Sequence, residues 1–122
     1  MALHCPATLL IARPGDEAWT RGLAQRIATD HVVRVWSDVG LAERESARVA
    51  AELLAVSAAT LAGLDGTTDG GGFREAVGHI ADLHRGETVL VLARGGPWES
   101  DGPVRLEVGD DGWLVVEPQN NR

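Results

Sequence analysis

The first patterned stretch, Ala7-Thr8-Leu9-Leu10-Ile11-Ala12, is apolar almost throughout and does not alternate, which predicts a short strand covered on both faces. Arg13-Pro14-Gly15 breaks it, and Asp16 and Glu17 then stand where a helix begins, running to about Thr29. Trp19, Leu23 and Ile27 recur every fourth residue and give that helix one apolar stripe. His31 to Trp36 is rich in β-branched residues and predicts a second strand ending at Ser37-Asp38. A longer helix is expected from Leu41 to Ala59, with Ser46, Ala50, Leu53, Leu54 and Ser57 on one face and Glu43, Arg44, Glu45, Arg48 and Glu52 mostly turned away.

Leu64 to Gly72 carries four of the glycines and predicts an exposed, mobile loop. Phe73, Val77, Ile80 and Ala81 mark a third helix that stops near His84-Arg85-Gly86. Thr88 to Ala93 is another unalternating apolar run, and it leads into Arg94-Gly95-Gly96. After it the pattern changes. Val104 to Val108 alternates strictly, Gly109 to Gly112 turns, and Trp113 to Glu117 returns, which predicts an antiparallel hairpin at a sheet edge. The order β-α-β-α-α-β-β-β predicts an α/β three-layer sandwich: a mainly parallel sheet, helices on both faces and a C-terminal antiparallel hairpin. With no repeat and no linker, residues 1–122 are expected to form a single domain. Ligands of such sheets bind outside the carboxyl ends of the strands, here Arg13-Pro14-Gly15, Ser37-Asp38 and Arg94-Gly95-Gly96.

Composition narrows the function classes. The formal net charge is −7, so an extended nucleic-acid surface is not expected. No apolar run approaches the ~20 residues that cross a bilayer, and no membrane partner is expected. Cys5 is the single cysteine, which suits a reducing, cytoplasmic setting and a small buried side chain. All 11 basic residues are arginine, and with 17 alanines and 15 glycines this suggests codon bias. His4, His31, His79 and His84 are expected at the surface or at helix ends, and His79 with Glu75 and Asp82 reads as a solvated helix face. No metal site and no cofactor are therefore expected.

Four segments in order resemble the histidine phosphatase superfamily, the phosphoglycerate-mutase-like proteins. Leu9-Leu10-Ile11-Ala12-Arg13-Pro14-Gly15-Asp16-Glu17-Ala18-Trp19-Thr20 resembles their first strand and its Arg-His-Gly-Glu-Thr-x-Trp-Asn ending. Val35-Trp36-Ser37-Asp38 through Ser46-Ala47 resembles the second strand and helix. Glu87-Thr88-Val89-Leu90-Val91-Leu92-Ala93-Arg94-Gly95-Gly96 resembles Gly-Glu-Thr-Val-Leu-Val-Val-Ser-His-Gly-Gly, and Gly109-Asp110-Asp111-Gly112-Trp113 resembles the closing hairpin. The resemblance implies a phosphoryl-transfer fold whose nucleophile is the His of Arg-His-Gly, yet that position holds Pro14. The second catalytic His corresponds to Arg94, and a phosphate-clamping Arg of the second helix corresponds to Ala42. The insertions that shape the family's substrate pocket are also missing. Proline carries no side-chain lone pair and no N–H, so it neither attacks phosphorus nor donates to it.

These departures imply a degenerate, catalytically inactive protein that binds a small anion, phosphate or carboxylate. Arg13, Gly15, Asp16, Ser37, Arg94 and Gly95 are the expected ligand-binding residues, and none is expected to be catalytic. A guanidinium forks onto two oxygens and is always charged, so Arg13 and Arg94 suit anion binding and not acid catalysis. Salt bridges to Asp16, Glu17, Asp38 or Glu99 are the alternative fate of these two arginines. Two other functions stay open at this stage. One is a repurposed enzyme of isomerase, cyclase or dehydratase type, or a residual phosphatase, with Asp16, Glu17 or Asp38 as acid/base. The other is an assembly role, in a homodimer or with a protein partner, anchored by Trp36, Trp98 or Trp113.

Overall fold

A computed structural model describes residues 6–64, 71–93, 104–109 and 112–116. The first strand, β1, spans Ala7–Ala12 and is followed by α1, Glu17–Arg26, and a short 3₁₀ turn, Ala28–Asp30. Next come β2, Val32–Ser37, and α2, Leu41–Leu54. A short strand, β3, Ser57–Thr60, precedes α3, Gly71–Leu83, and β4, Thr88–Leu92. The chain closes with β5, Val104–Gly109, and β6, Gly112–Val116. The six strands form one sheet in the order β3-β2-β4-β1-β5-β6. β1, β2, β3 and β4 pair in parallel, whereas β5 pairs antiparallel with β1 and β6 antiparallel with β5. The expected mainly parallel sheet, both helical layers and the terminal hairpin are all present.

Period-two geometry sends alternate strand residues to opposite faces. Leu10, Ala12, Leu90 and Leu92 pack beneath Leu23 of α1, Ile27 just after it, and Ala47, Ala50 and Ala51 of α2. Leu9, Ile11, Val89 and Val91 face the other way, against Phe73, Ala76, Val77 and Ile80 of α3. In β2, Val32 and Val35 lie on the α1/α2 side although they are an odd number of positions, three, apart. A register shift between the two positions reconciles this spacing with the pleat. β5 alternates buried Val104, Leu106 and Val108 with half-buried Arg105 and Glu107, as a strand helix-covered on one face should. Arg105 also bonds Asp30 at 3.0 Å, tying β5 to the turn after α1.

Two expectations about the middle of the chain need correction. The helix from Leu41 stops at Leu54, not Ala59, and β3 takes Ser57–Thr60 and pairs it with Arg34–Ser37. Ala55 adopts the left-handed conformation, φ 60° and ψ 43°. Its N–H donates to the Glu52 carbonyl at 3.3 Å, and the Val56 N–H donates to Ala51 at 3.0 Å. This is a Schellman ending with alanine in the position that usually belongs to glycine. An alanine-rich segment has high helix propensity, but pairing with β2 outweighs it. The buried face of α2 also shifts: Leu53 is exposed, whereas Glu43, expected to point away, is buried. Leu64, placed in an exposed loop by its glycine neighbours, is fully buried beneath α3. The rest of that loop, residues 65–70, lies outside the described residues.

A left-handed alanine costs about 1 kcal/mol that glycine does not bear. Ala55→Gly is therefore expected to stabilise the fold by roughly 0.5–1 kcal/mol, read as a higher urea midpoint with an unchanged m-value.

Candidate functional site

Ala12 of β1 and Ser37 of β2 both pair with Leu92 of β4, so these three strands end level with one another. The residues that follow, Arg13, Ala93 and Asp38, therefore sit side by side along the carboxyl edge of the sheet. Arg94 and Gly95, expected to complete this edge, lie outside the described residues.

The loop after β1 is held by backbone bonds from several side. Ser46 of α2 clasps Gly15 twice: its hydroxyl donates to the Gly15 carbonyl at 2.7 Å and accepts the Gly15 N–H at 3.1 Å. The Trp19 indole N–H donates to the Arg13 carbonyl at 2.9 Å. That bond lays the indole across Gly15, where an added Cβ would collide with the ring, so only glycine fits. Asp16 caps α1 by accepting the Trp19 N–H at 2.8 Å. The Gly15 amide that was expected to approach an anion is therefore already bonded to Ser46.

Ser37 is fully buried, and its hydroxyl donates to the Asp38 carbonyl at 2.9 Å. Asp38 is 5% exposed and accepts the Val39 N–H at 2.8 Å. Arg13 is exposed, and its guanidinium makes no hydrogen bond or ion pair with the described residues. The salt bridges weighed for it do not form there. Glu17 instead pairs with Arg21 at 2.8 Å, one helical turn away, Asp16 caps its helix, and Asp38 bonds its own neighbour. Glu99 lies outside the described residues.

A groove of about 200 Å³ opens between the start of α1 and α2, lined by Asp16, Glu17, Thr20, Glu45, Ser46 and Arg48 among others. Its cation is already engaged. Arg48 is hydrogen-bonded to Glu45 at 3.1 Å and to Glu52 at 3.1 Å. The Glu45 hydrogen bond and charge, then Glu52, push the Arg48 guanidinium above its ordinary value. The groove therefore offers an anion no free arginine, since Arg48 is already bonded to Glu45 and Glu52.

Histidine placement separates into two environments. His31 and His79 are exposed, as are Glu75 and Asp82, so the solvated-face reading of α3 matches their positions. His84 stands at the helix end as expected but is buried. Its Nε2 accepts the Trp36 indole N–H at 3.1 Å, which leaves the ring proton on Nδ1 to donate to Glu87 at 2.9 Å. Trp36 is accordingly a core residue, and Trp113 is half-buried beside Phe73 with Arg74 stacked over its ring at 4.4 Å. His4, Cys5 and Trp98 lie outside the described residues. Among the described residues no three His, Cys, Asp or Glu side chains are grouped to hold a metal, and no helix is long and apolar enough to cross a membrane.

Sequence reasoning missed Ser46 and Trp19 as positioning residues. The available signal was a serine on the apolar face of a helix, since a buried hydroxyl needs a partner. Ser46→Ala leaves the Gly15 N–H and carbonyl without that partner and is expected to cost about 1–3 kcal/mol, measured by chemical unfolding. Gly15→Ala is expected to displace the Trp19 indole, read as a shift in tryptophan emission with a lower Tm.

No protein-family model matches this sequence, and no curated protein matches it. Among solved structures it is similar to YhfR of Bacillus stearothermophilus, with a TM-score of 0.77 and 14% identity over 92% of this chain and 96% of that one. It is also similar to the phosphoglycerate mutase of Plasmodium falciparum, with a TM-score of 0.65 and 12% identity over 93% of this chain and 90% of that one. Both belong to the histidine phosphatase superfamily. The sheet, its helical layers and its antiparallel C-terminal pair are thus those of the phosphoglycerate-mutase-like fold of that superfamily.

Proposed function

We propose that this chain is a degenerate histidine phosphatase that binds a small anion at the carboxyl edge of its sheet and transfers no phosphoryl group. The observation that carries this reading is the pair Arg13-Pro14 at the end of β1. Pro14 stands where the resembled motif has its nucleophilic His, and a prolyl nitrogen locked in an amide has no electron pair to attack phosphorus. Arg13 supplies an exposed guanidinium without a partner among the described residues. A residue retained only to close an old pocket would pair with one of the carboxylates around it, yet the bonds of Asp16, Glu17 and Asp38 go to Trp19, Arg21 and Val39 and not to Arg13. Arg94, which follows Ala93 directly in the sequence, is a second permanent charge. Two forked, permanently protonated groups favour an oxyanion and supply no proton at neutral pH.

The role this supports is that of a binding or accessory protein for a phosphorylated or carboxylated small molecule. Incubation with a broad set of phosphomonoesters is expected to give no turnover and no acid-labile phosphoprotein. A phosphohistidine would overturn the proposal. In a thermal-shift series with inorganic phosphate, sulfate, alkyl phosphates and carboxylates, at least one anion is expected to raise Tm. Saturation at a hundred times Kd adds roughly 2.7 kcal/mol, a rise of several degrees. Arg13→Ala is expected to abolish that response, and an unchanged response in the variant would place the anion elsewhere.

A further inference from the structure

Among the described acidic groups near the strand ends, Asp38 alone combines deep burial with spare acceptor capacity. Asp16 is exposed and spent as the α1 cap, and Glu17 is exposed and paired with Arg21. Glu43 is buried, but its carboxylate folds back against Gly40 at the start of α2, where the helix favours negative charge. Asp38 is 5% exposed, and the Val39 N–H, at 2.8 Å, is the one polar partner of its carboxylate among the described residues. A carboxylate offers about four acceptor sites. Among the described residues no side-chain oxygen without a hydrogen bond is sealed from water, so the second Asp38 oxygen opens on solvent, where a further donor can reach it.

Position gives that donor a direction. Ala12, Leu92 and Ser37 are in register, so Arg13 and Asp38 flank Ala93 at two strand spacings from each other, about 10 Å between their backbones. The side chain between them is a methyl. A permanent cation and a buried acceptor thus stand at the two ends of one short edge, with no bulky group on the strand separating them.

We propose that Asp38 is the second ligand-contacting group of this edge, accepting a hydrogen bond from a hydroxyl or ammonium on the molecule whose anionic group Arg13 holds. The inference rests on the anion-binding reading above and narrows its ligand class to phosphorylated or carboxylated alcohols and amines. Bare oxyanions bring no donor for the Asp38 carboxylate.

The test is calorimetric titration of two matched probes, glycerol 3-phosphate and propyl phosphate, into the unmodified chain, Arg13→Ala, Asp38→Asn and Asp38→Ala. Asp38→Asn keeps an oxygen for the Val39 N–H and preserves the turn, so it remains informative if Asp38→Ala fails to fold. The unmodified chain is expected to bind glycerol 3-phosphate about tenfold or more tightly than propyl phosphate, the scale of a hydrogen bond to a charged group. That preference is expected to shrink severalfold in Asp38→Asn and to vanish in Asp38→Ala, while propyl phosphate binds as well or better. Arg13→Ala is expected to lose both probes. Equal affinities in the unmodified chain, or a preference that survives both Asp38 substitutions, would overturn the Asp38 assignment and leave the anion site standing. Binding of neither probe would overturn both.

Discussion

Every layer of this molecule is referred to β4. Its residues pair with β1 on one side and β2 on the other, Leu90 and Leu92 pack under α1 and α2, and Val89 and Val91 pack under α3. Each of these four side chains is at most 1% exposed. A strand so enclosed tolerates no slip, because a shift of one residue would exchange its two faces and mismatch both helical layers at once. Its register therefore dictates where β1 and β2 end. It brings Arg13, Ala93 and Asp38 level at one edge, although they come from segments far apart in the chain.

The loop that leaves β1 depends on the same alignment. Ser46 reaches Gly15 only because α2 packs beside α1 over β1, β2 and β4, and one hydroxyl then satisfies both backbone groups of that glycine. The Trp19 indole closes over Gly15 and bonds the Arg13 carbonyl. Both backbone groups of Gly15 and the Arg13 carbonyl are thereby engaged, while the Arg13 guanidinium bonds none of the described residues.

Much of the fold was legible because its strongest signals are local. The unalternating run at Ala7–Ala12 and the alternating run at Val104–Val108 report how many faces are covered, and both became strands of the expected kind. Phe73, Val77, Ile80 and Ala81 occupy one face of α3 as their spacing required. β3 was not legible, since Ser57-Ala58-Ala59-Thr60 has no strand periodicity of its own and follows a helix ended by a left-handed alanine in place of a glycine. Glu43 and Leu53 exchanged their expected environments because the helix presents its small residues, Ala47, Ala50 and Ala51, to the sheet. Close packing of α2 on β2 and β4 favours those small side chains.

By itself the sequence determined most of the segments that become strands and helices, β3 and the end of α2 excepted, and which residues stand at the ends of β1, β2 and β4. Those properties follow from periodicity and from the dihedral limits of Pro and Gly. It also determined that a proline stands where the resembled motif has its His, since that is a matter of residue identity at Pro14. Only the tertiary structure decided which groups at that edge are already bonded. Gly15 and Ser46 are 31 residues apart, and Trp36 and His84 are 48 apart. Such bonds depend on which segments meet, and that choice is made by the summed burial of two packed faces. No local pattern records it, and so Asp16, Glu17 and Asp38, alike as acidic residues in the sequence, became a cap, an ion pair and a buried carboxylate with acceptor capacity to spare.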